Sequence, residues 1–114
     1  VLGTGERNLI LSEMRGLLAG THDILEGINL NDPKQVAKAA RTVGMASAAD
    51  VNPALMTKLP MPFKQLGMSV HKDMDDLAQA AENGKPASEL QGMLTNTLSK
   101  CVACHAAWQI KTES

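Results

Sequence analysis

Apolar residues recur along the chain at the spacing of amphipathic helices, and breakers separate the apolar segments. A first helix is predicted over about Gly5–Gly27, on the apolar positions Ile10, Met14, Leu17, Leu18, Thr21 and Leu25. The pattern stops within Gly27–Asn31, and Asp32 followed by Pro33 is typical of an N-cap with proline at the first helical position. A second helix is therefore predicted to end near Ala49. Its apolar face consists of Val36, Ala40, Val43 and Ala46.

Three prolines then interrupt the pattern over residues 50–62, DVNPALMTKLPMP, which we predict to be a long connection. A third helix is predicted after Pro62, with Phe63, Leu66, Val70, Met74, Leu77 and Ala81 in register. In residues 82–86, ENGKP, the glycine favours the end of the third helix and the proline favours the start of the next one. The last helix is predicted to carry one stripe of Leu90, Met93 or Leu94, Leu98, Cys101, His105 and Trp108. The fold class predicted for residues 1–114 is all-α, a single antiparallel four-helix bundle.

Charge and composition narrow the function classes. The chain has a net charge of −1, 44% hydrophobic residues and 20% charged residues. This balance shows no excess of basic residues of the kind that binds nucleic acid or an anionic membrane. No apolar run approaches the roughly 18 residues that span a bilayer, so we expect no membrane span. No signal peptide is recognised, and the start at Val1 leaves open whether a leader was removed.

The chain is poor in aromatic residues, because Phe63 and Trp108 are its only ones. Seven methionines and many alanines and leucines take their place. A domain of this size usually builds its core around several rings. We therefore expect another large, flat group to fill part of the interior.

The motif CVACH, residues 101–105, contains both cysteines of the chain and one of its three histidines. On a helix, cysteines at i and i+3 share a face with a histidine at i+4. Each thiol can add across a vinyl group of haem to form a thioether, while the histidine ligates the iron. The C-x-x-C-H spacing predicts attachment of one haem c through Cys101 and Cys104, with His105 as axial ligand.

Four other uses of the cysteines are weaker alternatives. Structural zinc needs four ligands, and His22 and His71 lie isolated on other helices. A thioredoxin-like pair belongs after a strand in an α/β pattern. A disulfide between i and i+3 of a continuous helix is strained. Two buried free cysteines would leave the adjacent histidine and the missing aromatic residues unexplained.

These residues resemble the class II c-type cytochromes, the cytochromes c prime and their low-spin relatives. The likeness rests on KCVACHAAW near the C-terminus, where class I cytochromes place the motif near the N-terminus. ERNLILSEM is similar to the opening helix of the family, and HKDMDDLAQAAENGKPASELQGMLTNTLSKCVACH to its third and fourth helices. The tryptophan after the motif departs from the family's more frequent phenylalanine or tyrosine. The resemblance implies a four-helix bundle with covalently bound haem in its core.

The resemblance also implies that the residue facing the iron opposite His105 decides the function. In the low-spin branch a methionine of the first helix closes this position, and Met14 is the matching candidate. In cytochromes c prime an apolar side chain screens an open position, and Leu11 would do so here. Arg7 is expected to pair with a haem propionate or to be a solvated helix-start arginine. Trp108 either packs against the porphyrin edge or belongs to the ordinary core.

Two histidines outside the motif are weaker ligand candidates. His22 is two turns beyond Met14, about 12 Å along the helix axis, and is expected at the surface. His71 is a minor candidate for a second histidine ligand and is more commonly a structural or exposed group.

The leading interpretation is a soluble monohaem electron carrier, not an enzyme, that docks transiently with redox partner proteins. The alternative is a five-coordinate cytochrome c prime that binds small gases such as nitric oxide. The resemblance implies a periplasmic protein. Family members are often homodimers, and the sequence leaves the oligomeric state, the redox partner and the midpoint potential open. A haem domain of a larger redox assembly is a third, less favoured interpretation.

Overall fold

A computed structural model describes residues 2–48 and 53–110, and within these ranges the chain is helical with no β-strand. The bounds of the helices are α1 Thr4–Asn29, α2 Pro33–Thr42, α3 Met45–Ala48, α4 Pro53–Met56, α5 Met61–Glu82 and α6 Ala87–Ala107. The predicted all-α class is confirmed. The four long helices of the prediction correspond to α1, α2, α5 and α6.

The predicted start of the second helix is confirmed in detail. Asp32 is the N-cap of α2, and its side chain accepts a hydrogen bond from the backbone N–H of Gln35 at 3.2 Å. Pro33 occupies the first turn, where a missing N–H is not needed. Both features are local, so the sequence was sufficient to place them.

The predicted end of the second helix near Ala49 is wrong, because α2 ends at Thr42. The chain breaks at Gly44, where an added Cβ would collide with the carboxylate of Asp75 on α5. That carboxylate accepts the backbone N–H of Met45 at 3.0 Å and so begins α3. The break therefore depends on a residue of another helix. Ala49 lies outside the described residues.

The predicted connection between the helical hairpins contains one short helix, α4, which begins at Pro53. Leu55 of this helix is 2% exposed. Lys58 fixes the following turn to α1, because its Nζ lies 2.7 Å from the Oε1 of Glu6. The connection thus packs onto the N-terminal part of α1.

Glycine and proline separate α5 from α6, as the sequence predicts. Gly84 has a φ of 76°, a left-handed conformation that favours glycine, and Pro86 precedes α6. The placement of Trp108 on the last helical stripe is wrong, since α6 ends at Ala107 and Trp108 is extended. The backbone N–H of Trp108 still donates to the carbonyl of Cys104 at 3.0 Å.

The long helices pack in a closed ring, α1 on α2, α2 on α5, α5 on α6 and α6 on α1. Gly27 of α1 faces Val36 of α2, and Gly20 faces Val43, so these two helices run antiparallel. Within the described residues, no helix combines the length and the hydropathy needed to cross a membrane.

The buried apolar residues form two separate clusters. The large cluster joins α1, α2, α5 and α6 around Ile24, Val36, Met74, Leu77 and Leu94. The small cluster consists of Leu2, Ile10 and Leu55, with Met14, Leu59 and Ile110 packed against it. The cavity described next is lined by members of both clusters.

Candidate functional site

A cavity of about 450 Å³ lies between α1, α5, α6 and the segment 55–59. Its walls are mostly apolar, and its size falls within the range of small-molecule and cofactor sites, roughly 300–1,000 Å³. It reaches solvent at Leu18, whose side chain is 71% exposed. The expected large, flat group in the interior stays a prediction.

The α6 wall of the cavity is formed by the predicted attachment motif. Cys101, Cys104 and His105 all line the cavity, because positions i, i+3 and i+4 fall on one face of the helix. Both cysteines are half-buried free thiols, while His105 is exposed. The structure therefore presents two thiols and one imidazole to the same apolar space.

The environment of the two thiols keeps them protonated near neutral pH. Burial raises the pKa of both thiols, and the neighbouring charge of Cys101 adds to the rise for Cys104. The Sγ of Cys101 also donates weakly to the carbonyl of Thr97 at 3.8 Å.

The α1 wall contains both candidates for the position opposite His105. Met14 and Leu11 are half-buried, and both line the cavity. Met14 also packs against the small cluster. Both side chains line the same cavity as the α6 motif. Their positions therefore fit either residue as the one that would face the iron.

Two predicted site residues do not line the cavity. Arg7 is exposed and lies outside its walls. Trp108 packs against Phe63, with ring centroids 5.6 Å apart and ring planes at 90°. Phe63 lines the cavity, so Trp108 contacts a residue of the cavity wall without lining the cavity itself.

The remaining histidines occupy different environments. His22 is exposed, as predicted, and the hydrogen bond that its Nδ1–H donates to the Asp23 carboxylate raises its pKa despite some desolvation. His71 lines the cavity, and its Nδ1–H donates to the carbonyl of Val43 at 2.8 Å. A carbonyl oxygen only accepts, so this bond requires a proton on Nδ1.

Sequence reasoning missed several residues of the cavity wall. Lys64 and Gly67 of α5, Arg15 of α1 and Leu55 of α4 all line it. Apart from the backbone of its own helix and its chain neighbours, an added Cβ at Gly67 would have no atom within 4 Å, so the missing side chain leaves room at the cavity wall. A glycine within a helix lowers stability by about 0.5–1 kcal/mol relative to alanine. Its occurrence inside a predicted helix was the one sequence signal that could have pointed to Gly67.

Over residues 2–48 and 53–110, no three His, Cys, Asp or Glu side chains cluster in a way that could hold a metal ion by themselves. A haem iron takes four ligands from its porphyrin and needs one or two from the protein. The arrangement seen here can supply one imidazole and one thioether sulfur, from His105 and Met14.

In comparisons with protein-family models, with curated proteins and with solved structures, no match to the chain was found. The functional argument therefore rests on the motif and on the cavity that it lines.

Proposed function

We propose that the chain is a class II c-type cytochrome, a four-helix bundle that carries one haem c and transfers electrons. Cys101 and Cys104 would attach the haem through thioethers, and His105 and Met14 would be its axial ligands. When bound, haem c supplies a reversible one-electron change at its iron.

One observation carries the proposal. The three side chains of the C-x-x-C-H motif line a mostly apolar cavity whose opposite elements contribute Met14 and Leu11. The fit of a flat macrocycle is supported by the cavity volume of about 450 Å³ and by the open space at Gly67. The two free thiols and the imidazole are the donor set that haem c requires.

The protein's own residues would hold and tune the site. A methionine opposite a histidine raises the reduction potential relative to a weaker or absent ligand. The apolar walls, among them Ile10, Leu55 and Met74, would exclude water from the iron. Electrons would enter and leave at the open side of the cavity during short-lived docking with a redox partner.

A second candidate function is supported by the position of Leu11. This side chain lines the cavity one helical turn before Met14 and would screen an open iron position if Met14 remained a packing residue. The protein would then be a five-coordinate cytochrome c prime that binds small gases such as nitric oxide.

A visible spectrum of the oxidised holoprotein separates the two candidates. Electron transfer with Met14 as ligand predicts a low-spin spectrum with a methionine-to-iron band toward the red. Met14→Ala should convert it to a high-spin spectrum that responds to carbon monoxide after reduction, while Leu11→Ala should not. A high-spin spectrum in the unsubstituted protein would refute the ligand role of Met14. Failure to attach haem at all would refute the function.

The compartment and partners follow from the same proposal. Bacteria attach haem c outside the cytoplasmic membrane, so we place the protein in the periplasm. A homodimer is compatible with this function, and sedimentation of the holoprotein measures the oligomeric state directly.

A further inference from the structure

The cavity wall carries positive charge that the described residues do not balance. Lys64 and Lys100 are the two half-buried side chains among the lysines and arginines that the structure describes, and both line the cavity. Lys100 is paired, with its Nζ 2.6 Å from the Oδ2 of Asp73. Lys64 forms no ion pair with any described carboxylate, although a partly desolvated cation gains from an opposite charge.

A second cation approaches the same cavity from α1. Arg15 is exposed, lines the cavity and forms no ion pair within the described residues. Glu13 is the one carboxylate among the described residues of the cavity wall, so the unpaired cations outnumber it. Lysine and arginine in this arrangement favour a ligand that carries carboxylates at one edge.

We infer that Lys64 and Arg15 hold the carboxylate edge of the ligand, which fixes the orientation of the macrocycle in the cavity. The inference rests on the proposed function, since the two carboxylates are then the haem propionates. It replaces Arg7, the residue that the family resemblance implied for this role, because Arg7 lies outside the cavity wall. Lys64 contributes from α5 and Arg15 from α1, so the ligand edge joins these two helices.

The test uses the full-length chain with Cys101→Ala and Cys104→Ala, so that haem binds reversibly and its affinity can be measured. Two probes are titrated, haemin and haemin dimethyl ester, which lacks the negative charges. Lys64→Gln and Arg15→Gln are compared with two controls of the same residue types on the same helices, Lys72→Gln and Arg7→Gln. Far-UV circular dichroism verifies that each variant is folded.

We expect Lys64→Gln and Arg15→Gln each to weaken haemin binding about three- to tenfold. This loss of affinity is larger than that for removing one partner of an exposed ion pair and smaller than that for a fully desolvated pair. The affinity for the ester should stay unchanged in all variants, and both controls should bind haemin as the parent does. Equal weakening for haemin and for its ester would overturn the inference, as would a selective effect of Arg7→Gln in place of Arg15→Gln. If the parent binds the ester as tightly as haemin, the carboxylate contact is refuted while the function stands. If the parent binds neither probe, the inference fails, while the proposed function is still decided by attachment of haem to the unsubstituted chain.

Discussion

Phe63 of α5 and Trp108, the residue that follows α6, pack edge to face with their centroids 5.6 Å apart. They are the two aromatic residues of the chain, and their contact ties the C-terminal end of α6 to the first turn of α5. The motif residues on α6 are thereby held beside the cavity wall to which Phe63 belongs.

The first prediction measures this contact. Phe63→Leu and Trp108→Leu should show a coupling free energy of about 1 kcal/mol in a double-mutant cycle of urea unfolding, because an edge-to-face pair contributes beyond its buried area. Leu30→Ala, a change at an exposed position, should be additive with either substitution. Simple additivity of the two aromatic substitutions would show that the ring contact has no energetic role.

Gly67 and Gly16 are matched positions at which alanine substitution tests whether the macrocycle lies against α5. Both lie within helices, and an added Cβ would contact nothing within 4 Å beyond its chain neighbours and its own helix backbone, but only Gly67 of the two lines the cavity. Alanine at either position should raise the free energy of unfolding of the haem-free chain by about 0.5–1 kcal/mol. Gly67→Ala should also lower the yield of haem-loaded protein or alter its visible spectrum, whereas Gly16→Ala should not. Identical holoprotein from both variants would contradict the placement of the macrocycle against α5.

The raised pKa of both thiols predicts slow alkylation of the haem-free chain. Burial disfavours the thiolate, so the midpoint pH of the reaction with iodoacetamide should be higher in the folded chain than in urea. Since the folded pKa lies above the unfolded one, the associated stability is present below the unfolded pKa. It is lost as pH rises through the folded pKa. Equal midpoints in the two states would mean that the thiols are solvated.

Glu6 gives a pH effect of the opposite sign. The hydrogen bond from Lys58, followed by that from the backbone N–H of Gly3, lowers the pKa of the Glu6 carboxyl. The stability from this contact is present above the ordinary pKa of 4.5 and is lost as pH falls through the lower folded value. Lys58→Gln should raise the pKa of Glu6 in an NMR titration. Lys72→Gln, at an exposed ion pair elsewhere, should leave that pKa unchanged.

Replacement of Thr97 by valine is predicted to stabilise the protein. Its hydroxyl is buried and has no hydrogen-bond partner among the described residues, one turn before Cys101. Thr97→Val removes this polar group at nearly constant volume and should raise the free energy of unfolding by about 1 kcal/mol. Thr95 is exposed and donates to the carbonyl of Gln91, so Thr95→Val should bring no such gain. A loss of stability in Thr97→Val would indicate that the hydroxyl does have a partner.

Local signals explain which parts of the fold were readable from the sequence. Asp32 with Pro33, and Gly84 with Pro86, act on their own neighbours, so the ends of the helices beside them were predictable. The end of α2 depends on Asp75, a residue that reaches Gly44 only in the folded chain.

The same distinction applies to the site. The motif on α6 was readable because its spacing alone encodes the shared face. Lys64 and Gly67 were not, because their importance comes from facing a cavity that four segments of the chain enclose. Arg7 was favoured by the resemblance, but it lies nearer the N-terminal end of α1 than Ile10, the first α1 residue of the cavity wall, and so falls outside that cavity.

The division of the apolar core into two clusters has a consequence for folding. The small cluster has three buried members, Leu2, Ile10 and Leu55, and the cavity separates part of it from the large one. In the haem-free chain, amides near these residues should exchange with solvent through local opening well before those around Leu77 and Leu94. A ligand that fills the cavity would couple the two regions, so that their amides exchange only through global unfolding. Attachment of the proposed haem would thereby also set the cooperativity of the native state.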